Sequence, residues 1–509
     1  MNDIDATGDP GWDGVVADVA TRRAASRSMG GPERLAKHRA AGKLDARARL
    51  AYLLDPGSFL ELGTLVGGEE SPADAVVVGS GRIDGRPVMV GAEDFTVKAG
   101  TISAAANAKR YRIAELALAD RVPLVMLLEG AGYRADGRGH GARTPTDMIA
   151  QAQCSGRVPI ITAVLGASAG HGALIAPISD FAVMSANGSI FTAGPPVVSE
   201  SLGEIITKEE LGGPDVALTS GLIHNGAEDD AAALDLLRTY LSYFPTSAWS
   251  YPPQFVPADG HGDDVGERLL PAILDLVPRN GRQVYDMHDV IDLVFDTGSG
   301  FEVQPRFGRS MLCVLARLGG HPVAVVANQP NVLAGSIDAD SADKAAHFIA
   351  VADSFHLPLV FLSDNPGVLP GSASERQAIL RKGARMYAAQ TRATVPKFEV
   401  TLRKAYGFGS MVMGMIPFDH QSGIFAFPGA TMGAMGASAM SRSRKSDDDE
   451  AARLHRAEVE ASYRSADGFG FDELIDPREL RNVLLQSLGR ALYRRQAPAE
   501  PVARVGIMP

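Results

Sequence analysis

The sequence predicts an α/β fold in which one layered unit is used twice. Three observations predict it. Short apolar runs without polar alternation recur and are followed by helical stretches, the pattern of a mainly parallel sheet covered on both faces. Blocks of sequence repeat along the chain at a nearly constant spacing. Each copy carries a glycine-rich turn at the same place after a buried strand.

The clearest repeat pairs residues 158–173 (VPIITAVLGASAGHGA) with residues 395–410 (VPKFEVTLRKAYGFGS). Pro159 falls on Pro396, and Gly170-His171-Gly172 on Gly407-Phe408-Gly409, an offset of 237 (396 − 159). The echo extends backwards. GRIDGRPVMV (81–90) falls on ARLGGHPVAV (316–325), and GTISAAANAKR (100–110) on GSIDADSADKA (335–345), both at 235 (316 − 81). Lys109 thereby pairs with Lys344. VPLVMLLEGAG (122–132) falls on LPLVFLSDNPG (357–367), so Glu129 pairs with Asp364.

At 509 residues the chain has room for two to four domains with large cores. Charged residues at 21% and hydrophobic residues at 45% are those of an ordinary globular protein. A net charge of −11 argues against nucleic acid as a main partner. The two cysteines, Cys154 and Cys313, cannot build a disulfide framework or a CxxC zinc site. The acidic start, MNDIDATGDPGWDG, does not read as a signal peptide, and no run of eighteen apolar residues predicts a membrane span. A cytoplasmic location is expected.

In chain order, residues 1–13 read as disordered. Residues 14–54 form a helical arm, with one helix opened by Pro32, a break at Gly42 and a second helix capped by Asp45. Its many cations suit either a packing face or contact with phosphates. Residues 75–98 read as two strands joined at Asp84-Gly85. A helix over 103–119 and the strand VPLVMLLE follow. Residues 204–218 and 228–242 read as helices. The Pro- and Gly-rich stretch 243–266 reads as a linker. It separates an N-terminal domain, 14–250 with its arm, from a C-terminal domain, 267–490. Residues 267–310 lead into the second copy. Residues 441–464 read as one exposed charged helix, and a last helix runs near 477–490.

Glycine at two of three positions in a turn lets backbone N–H groups face a cleft with no Cβ in the way. Two amides aimed at one point stabilise a developing oxyanion, and losing one such donor costs roughly 3–4 kcal/mol. The same glycines also suit close strand–helix packing. Phe408 stands where the first copy has His171, which favours backbone over imidazole chemistry there. Residues 166–170 also fit G-x-S-x-G, the nucleophile elbow of α/β-hydrolases. Against that, Ala405 takes the place of Ser168 in the second copy, no HGGG-type loop is present, and no triad partners are evident. The loops 97–100 and 332–335 form another matched pair, offering N–H groups at Gly100 and Gly335 and a cation at Lys98. Glu129 and Asp364 read as turn caps or as acid–base groups. No Walker loop, H-E-x-x-H motif or EF-hand occurs, and no metal site is expected.

Several stretches together carry a resemblance: LDPGSF (54–59), GSGRIDGRPV (79–88), EDFTV (93–97), EELGG (209–213), EVQPRF (302–307), LGGHPVAVVANQP (318–330), LAGSIDADSADKAA (333–346), PLVFLSDNPGVLPG (358–371), ATVPKFEVTLRKAYGFG (393–409) and IDPREL (475–480). On these the chain resembles the carboxyltransferase β subunit of biotin-dependent acyl-CoA carboxylases, the propionyl-CoA and methylcrotonyl-CoA carboxylase group, from about Arg22 to Leu485. The resemblance implies two tandem crotonase-like domains, each a spiral of ββα units. It implies transfer of a carboxyl group from carboxybiotin, on a separate carrier, to the α carbon of an acyl-CoA, without a side-chain base.

By position, the amides around Gly170, His171 and Gly172 would hold the thioester oxygen. Those around Gly407, Phe408 and Gly409 would hold the biotin oxygen. Lys98, Gly100, Gly130, Gly132, Gly335, Gly367 and Met411 would line the substrate site. The family site lies between the N-domain of one subunit and the C-domain of another, which implies at least a dimer and usually a hexamer. The partner implied is an α subunit with biotin carboxylase and biotin carrier, because this chain has neither an A/V-M-K-M biotinylation motif nor an ATP-binding glycine loop. A decarboxylase carboxyltransferase subunit and a non-catalytic scaffold subunit are the alternatives.

Three departures stand out. The family's AGGA is AGHGA here (169–173), its SGGA-type turn is EGAG (129–132), and a position often Asp in short-chain enzymes is Met411. The acyl group therefore stays open.

Overall fold

The computed structural model describes residues 11–134, 145–255, 265–415, 420–493, 495, 498–502 and 507–509. The chain divides into two compact units with the boundary after Leu241.

The first unit is built on an eight-stranded sheet. Its strands are β1 (Leu60–Leu62), β2 (Val76–Ile83), β3 (Arg86–Glu93), β4 (Leu124–Gly130), β5 (Ile160–Ala169), β6 (Phe181–Ser185), β7 (Ser189–Phe191) and β8 (Asn225–Ala227). The order is β1-β2-β3-β4-β5-β6-β8, with β7 added to β5. Strands β1 to β3 pair antiparallel, and from β3 onwards the pairing is parallel. The Asp84-Gly85 turn closes the β2–β3 hairpin, with both residues at positive φ as that turn demands. Helix Ala104–Asp120 then crosses back, capped by Ser103, whose hydroxyl accepts the Ala105 and Ala106 N–H groups at 3.1 Å. Its Ile113 and Ala117 pack with Leu124, Met126, Ile160 and Val164 of β4 and β5. Each such large side chain contributes about 1.5–3 kcal/mol on burial.

The second unit repeats this plan strand for strand. Its strands are β9 (Phe301–Glu302), β10 (Met311–Leu318), β11 (His321–Asn328), β12 (Leu359–Asn365), β13 (Lys397–Tyr406), β14 (Gly423–Ala426), β15 (Thr431–Gly433) and β16 (Glu473–Leu474). The order β16-β14-β13-β12-β11-β10-β9, with β15 on β13, is the first sheet's order read from the other edge. Even the irregularities match. The register of β4 on β5 shifts between Leu128 and Gly130, and that of β12 on β13 between Ser363 and Asn365. The bulged positions are Glu129 and Asp364, at the strand ends beside the two turns. Lys109 and Lys344 are both buried. Lys109 Nζ donates to the carbonyls of Ala73 (2.8 Å) and Val76 (2.5 Å), and Lys344 Nζ to those of Gln304 and Phe307 (3.0 Å each).

Several local expectations change. Residues 243–255, read as linker, pack into the second unit because the stretch carries apolar side chains. Tyr243, Phe244 and Ala248 are buried, Phe244 meets Phe355 edge-on at 5.7 Å, and the Phe255 N–H donates to Gly320 O at 2.8 Å. Residues 256–264 lie outside the described residues, as do residues 1–10 of the stretch read as disordered. The stretch read as one helix over 204–218 is two, Lys208–Gly212 and Pro214–Thr219, because Gly213 is extended and Pro214 opens a new helix. The charged stretch 441–464 falls within three helices, Ala437–Arg444, Asp448–Val459 and Ala461–Asp467. Lys445 in the left-handed region ends the first of them, and Asp447 caps the second through the Glu450 N–H.

Candidate active site

In each unit the longest parallel strand runs straight into a helical turn that begins with glycine. β5 ends at Ala169 and residues Gly170–Leu174 turn immediately. β13 ends at Tyr406 and helix Gly407–Val412 starts there. Gly170 and Gly407 both have φ +55°, in the left-handed region where a Cβ is penalised. No side chain caps either turn. The leading N–H groups of a helical turn have no acceptor within the turn itself, so each turn presents donors at the end of a buried strand.

The second glycine of each turn is crowded rather than twisted. A Cβ on Gly172 would stand 3.1 Å from Ile102 Cδ1 and 3.2 Å from Glu93 Oε1. A Cβ on Gly409 would stand 2.3 Å from Asn365 Oδ1 and 2.7 Å from Gly367 Cα. The middle residues differ in kind. His171 Nε2 bonds Oδ1 of Asp147, whereas the half-buried Phe408 ring lies against Gly383 and 6.4 Å from the Tyr387 ring. Met411 lies within the helix Gly407–Val412, and its carbonyl accepts Gln390 Nε2 at 3.1 Å.

The remaining sequence-predicted residues lie along the adjoining strand ends. Gly130 closes β4, and Gly132 accepts the Ile102 N–H on its carbonyl at 2.8 Å. The matching Gly367 accepts the Ile337 N–H at 3.1 Å and donates its own N–H to Asn365 Oδ1 at 3.1 Å. One expectation changes: the N–H groups of Gly100 and Gly335 are used inside their loops, donating to Val97 O at 3.0 Å and Val332 O at 2.9 Å. These loops are strained alike. Lys98 and Ala99 have φ of 49° and 54°, and Leu333 and Ala334 of 50° and 55°. Consecutive left-handed non-glycine residues persist only where the surroundings hold them. Lys98 is exposed and lines a cavity of about 410 Å³ with Arg34, Glu69 and Glu70.

The sequence reading missed a buried charged network under the first turn. Arg110 is fully buried and donates from Nε to Asp147 Oδ2 and from Nη1 to Glu93 Oε1, both at 2.6 Å. Glu93 Oε2 accepts the Glu129 N–H at 2.8 Å. Burial pushes the Glu93 carboxyl up, against the pull of Arg110. Burial would also raise Asp147, but the His171 hydrogen bond and the Arg110 guanidinium outweigh it and hold that carboxyl below the usual range. Glu93 sits in the EDFTV stretch and Arg110 in a repeated block. The repeat concealed Arg110, because the second copy has Ala345 there. The second unit uses amides in that role: Asn328 Oδ1 accepts the Asp364 N–H and Asn365 Nδ2, both at 3.1 Å.

Glu129 and Asp364 both form ion pairs. Glu129 meets Lys43 and Arg49 at 2.7 Å, and Asp364 meets Arg403 at 2.7 Å and Lys404 at 3.3 Å. Several cations of the helical arm are therefore committed to carboxylates. Ser168, the would-be nucleophile of a hydrolase elbow, is 1% exposed within β5, and its hydroxyl has no hydrogen-bond partner. It is not displayed on a turn, so the elbow reading fails. Among the described residues, no group of three or more His, Cys, Asp or Glu is arranged to hold a metal ion, and no helix is long and apolar enough to cross a membrane.

Known proteins share this architecture. The chain is 34% identical to the methylmalonyl-CoA carboxyltransferase 12S subunit of Propionibacterium freudenreichii subsp. shermanii, over 98% of this chain and 97% of that protein. It is 34% identical to the biotin-dependent long chain acyl-coenzyme A carboxylase beta4 subunit of Mycobacterium tuberculosis, over 93% of each. A solved hexameric transcarboxylase 12S, with methylmalonyl-coenzyme A and methylmalonic acid bound, superposes with a TM-score of 0.89 at 34% identity, covering 98% of this chain and 99% of that one. This likeness bears out the expected pair of crotonase-like domains. With a carboxyl transferase domain matched across residues 37–496, the chain belongs to the carboxyl transferase family and is a carboxyltransferase.

Proposed function

We propose that this chain is the carboxyltransferase subunit of a biotin-dependent acyl-CoA carboxylase. It moves a carboxyl group from carboxybiotin, borne by a separate α subunit with biotin carboxylase and carrier functions, to the α carbon of an acyl-CoA. The observation that carries this reading is the pair of matched turns, each at the end of the corresponding strand and each opened by a glycine at φ +55°.

Two oxygens gain negative charge in such a reaction, and two sets of main-chain donors suit them. In this reading the His171 and Gly172 amides hold the thioester oxygen of the acyl-CoA. The Phe408 and Gly409 amides hold the ureido oxygen of biotin. The second turn suits such a group, because Gly407 at φ +55° opens it and no side chain caps its leading amides. When bound in its carboxylated form, biotin supplies the carboxyl group and the acceptor for the α proton. Each fixed amide is worth roughly 3–4 kcal/mol where charge develops in a site closed to water. Lys98, Gly100, Gly130 and Gly132 line the acyl-CoA side, and Gly335, Gly367 and Met411 the biotin and acyl side. The site is completed by a second copy of the chain, in a homo-oligomer like the hexameric relative. The reading includes a cytoplasmic location.

The test is carboxylation of a panel of acyl-CoAs by the chain with its biotin-bearing partner, ATP and labelled bicarbonate. Label in at least one carboxyacyl-CoA is expected. No incorporation with any acyl-CoA, by a partner that carboxylates its own biotin, overturns the proposal.

A further inference from the structure

We propose that Asp147, acting through the His171 imidazole, is a positioning residue that holds the first turn's amides in place for the reaction. The inference rests on the reading that this turn binds the thioester oxygen.

The His171 side chain is 27% exposed, and its Nε2 meets the fully buried Asp147 carboxylate. Asp147 is itself fixed from three sides. Its Oδ2 accepts Arg110 Nε at 2.6 Å and Gln151 Nε2 at 3.0 Å, and its N–H donates to Asn107 Oδ1 at 2.9 Å. It opens helix Asp147–Cys154, where the helix dipole favours an anion. Arg110 Nη2 also reaches the Gly172 carbonyl at 3.5 Å. Two consecutive residues of the turn, His171 by its ring and Gly172 by its carbonyl, are thus tied to one buried assembly.

Gly170 already supplies the left-handed bend, so the imidazole is not needed to make the turn. It sits where the second unit has Phe408, which is seated on Gly383 and Tyr387 without any charge. The equivalent position is therefore anchored in both units, by a hydrogen bond to a carboxylate in one and by apolar packing in the other. Donors to an oxyanion act strongly only when they need no reorganisation as charge develops, so a loosened turn lowers turnover more than binding.

The experiment uses the full chain and the variants His171→Ala, His171→Gln, Asp147→Asn and the Asp147→Asn/His171→Ala double, with Tm confirming that each is folded. Amide hydrogen exchange across residues 165–178 reads the turn without any substrate. Exchange is expected to rise about tenfold in His171→Ala and to stay near the wild type in His171→Gln. Asp147→Asn should add little once His171 is gone. In carboxylation of the acyl-CoA that the panel selects, with the biotin-bearing partner, kcat of His171→Ala is expected to fall about tenfold with KM for the acyl-CoA within twofold. Unchanged exchange in His171→Ala overturns the proposal, as does an Asp147→Asn effect equally large in the His171→Ala background. A wild type inactive with every acyl-CoA of the panel counts against the proposed function, while the exchange measurement still decides the positioning role.

Discussion

Asn365 Oδ1 lies 2.3 Å from where a Cβ on Gly409 would be. That oxygen already accepts the Gly367 N–H, and the Asn365 amide is held in turn by Asn328. The second turn and the end of β12 therefore meet backbone to side chain, with no room for a methyl group. Gly409→Ala is expected to cost about 1–3 kcal/mol of stability through the forced shift. It should lower carboxyl transfer by about 100-fold or more through the displaced amide. Steady-state kinetics check this, and a loss under threefold with intact folding would show that the Gly409 amide is not used.

Arg110 is the cation shared by Glu93 and Asp147, and all three are buried. Arg110→Met would leave two buried carboxylates without their cation. Removing one partner of a buried ion pair costs about 3–5 kcal/mol. Urea unfolding of the variant is expected to show a loss in that range in the N-terminal unit. A change below 1 kcal/mol would mean that the carboxylates find water or protons instead.

Ser168 and Ala405 occupy matching places, and the Ser168 hydroxyl is buried without a partner. An unsatisfied buried hydroxyl is a cost, so Ser168→Ala should be neutral or stabilising by up to about 1 kcal/mol. Carboxyl transfer should be unchanged. Loss of activity in this variant would revive a nucleophilic role for the hydroxyl.

The second unit carries a titratable clamp where the first has a permanent one. Arg47 donates to both oxygens of Glu61 at 2.8 and 2.9 Å. His288 bonds Glu302 at 3.0 Å through Nε2 and Asp286 at 2.7 Å through Nδ1. Asp45 and Asp286 cap the two corresponding helices. The Glu302 hydrogen bond, opposed by burial and helped by Asp286, raises His288 from its ordinary 6.5 to about 9. A raised histidine stabilises the fold fully below the unfolded value and loses that contribution as pH rises through the folded one. Stability of the C-terminal unit should therefore fall between pH 6.5 and about 9. The side chain is 43% exposed, so screening limits the effect to about 1 kcal/mol or less. His288→Arg should flatten the profile, which urea midpoints across that range would show.

Much of this was legible in the amino acids. The apolar runs, the Asp84-Gly85 hairpin, the Asp45 cap and the doubled strand-then-glycine pattern all report on local backbone preference, which is written in consecutive residues. The network under the first turn was not legible. Glu93 and Asp147 lie 17 and 37 residues from Arg110 in the chain, and nothing local marks them as partners. The repeat of Asp45, Arg47 and Glu61 as Asp286, His288 and Glu302 was missed because the middle residue changed chemical type.

The sequence alone thus determined that one α/β unit occurs twice and that each copy carries a glycine turn after its central strand. Only the tertiary structure decided what braces each turn: a buried ionic assembly in one copy, amides and an aromatic ring in the other. The reason is physical. Backbone conformation follows from residues three or four apart, whereas the pairing of a buried charge depends on which distant strands the fold brings alongside it.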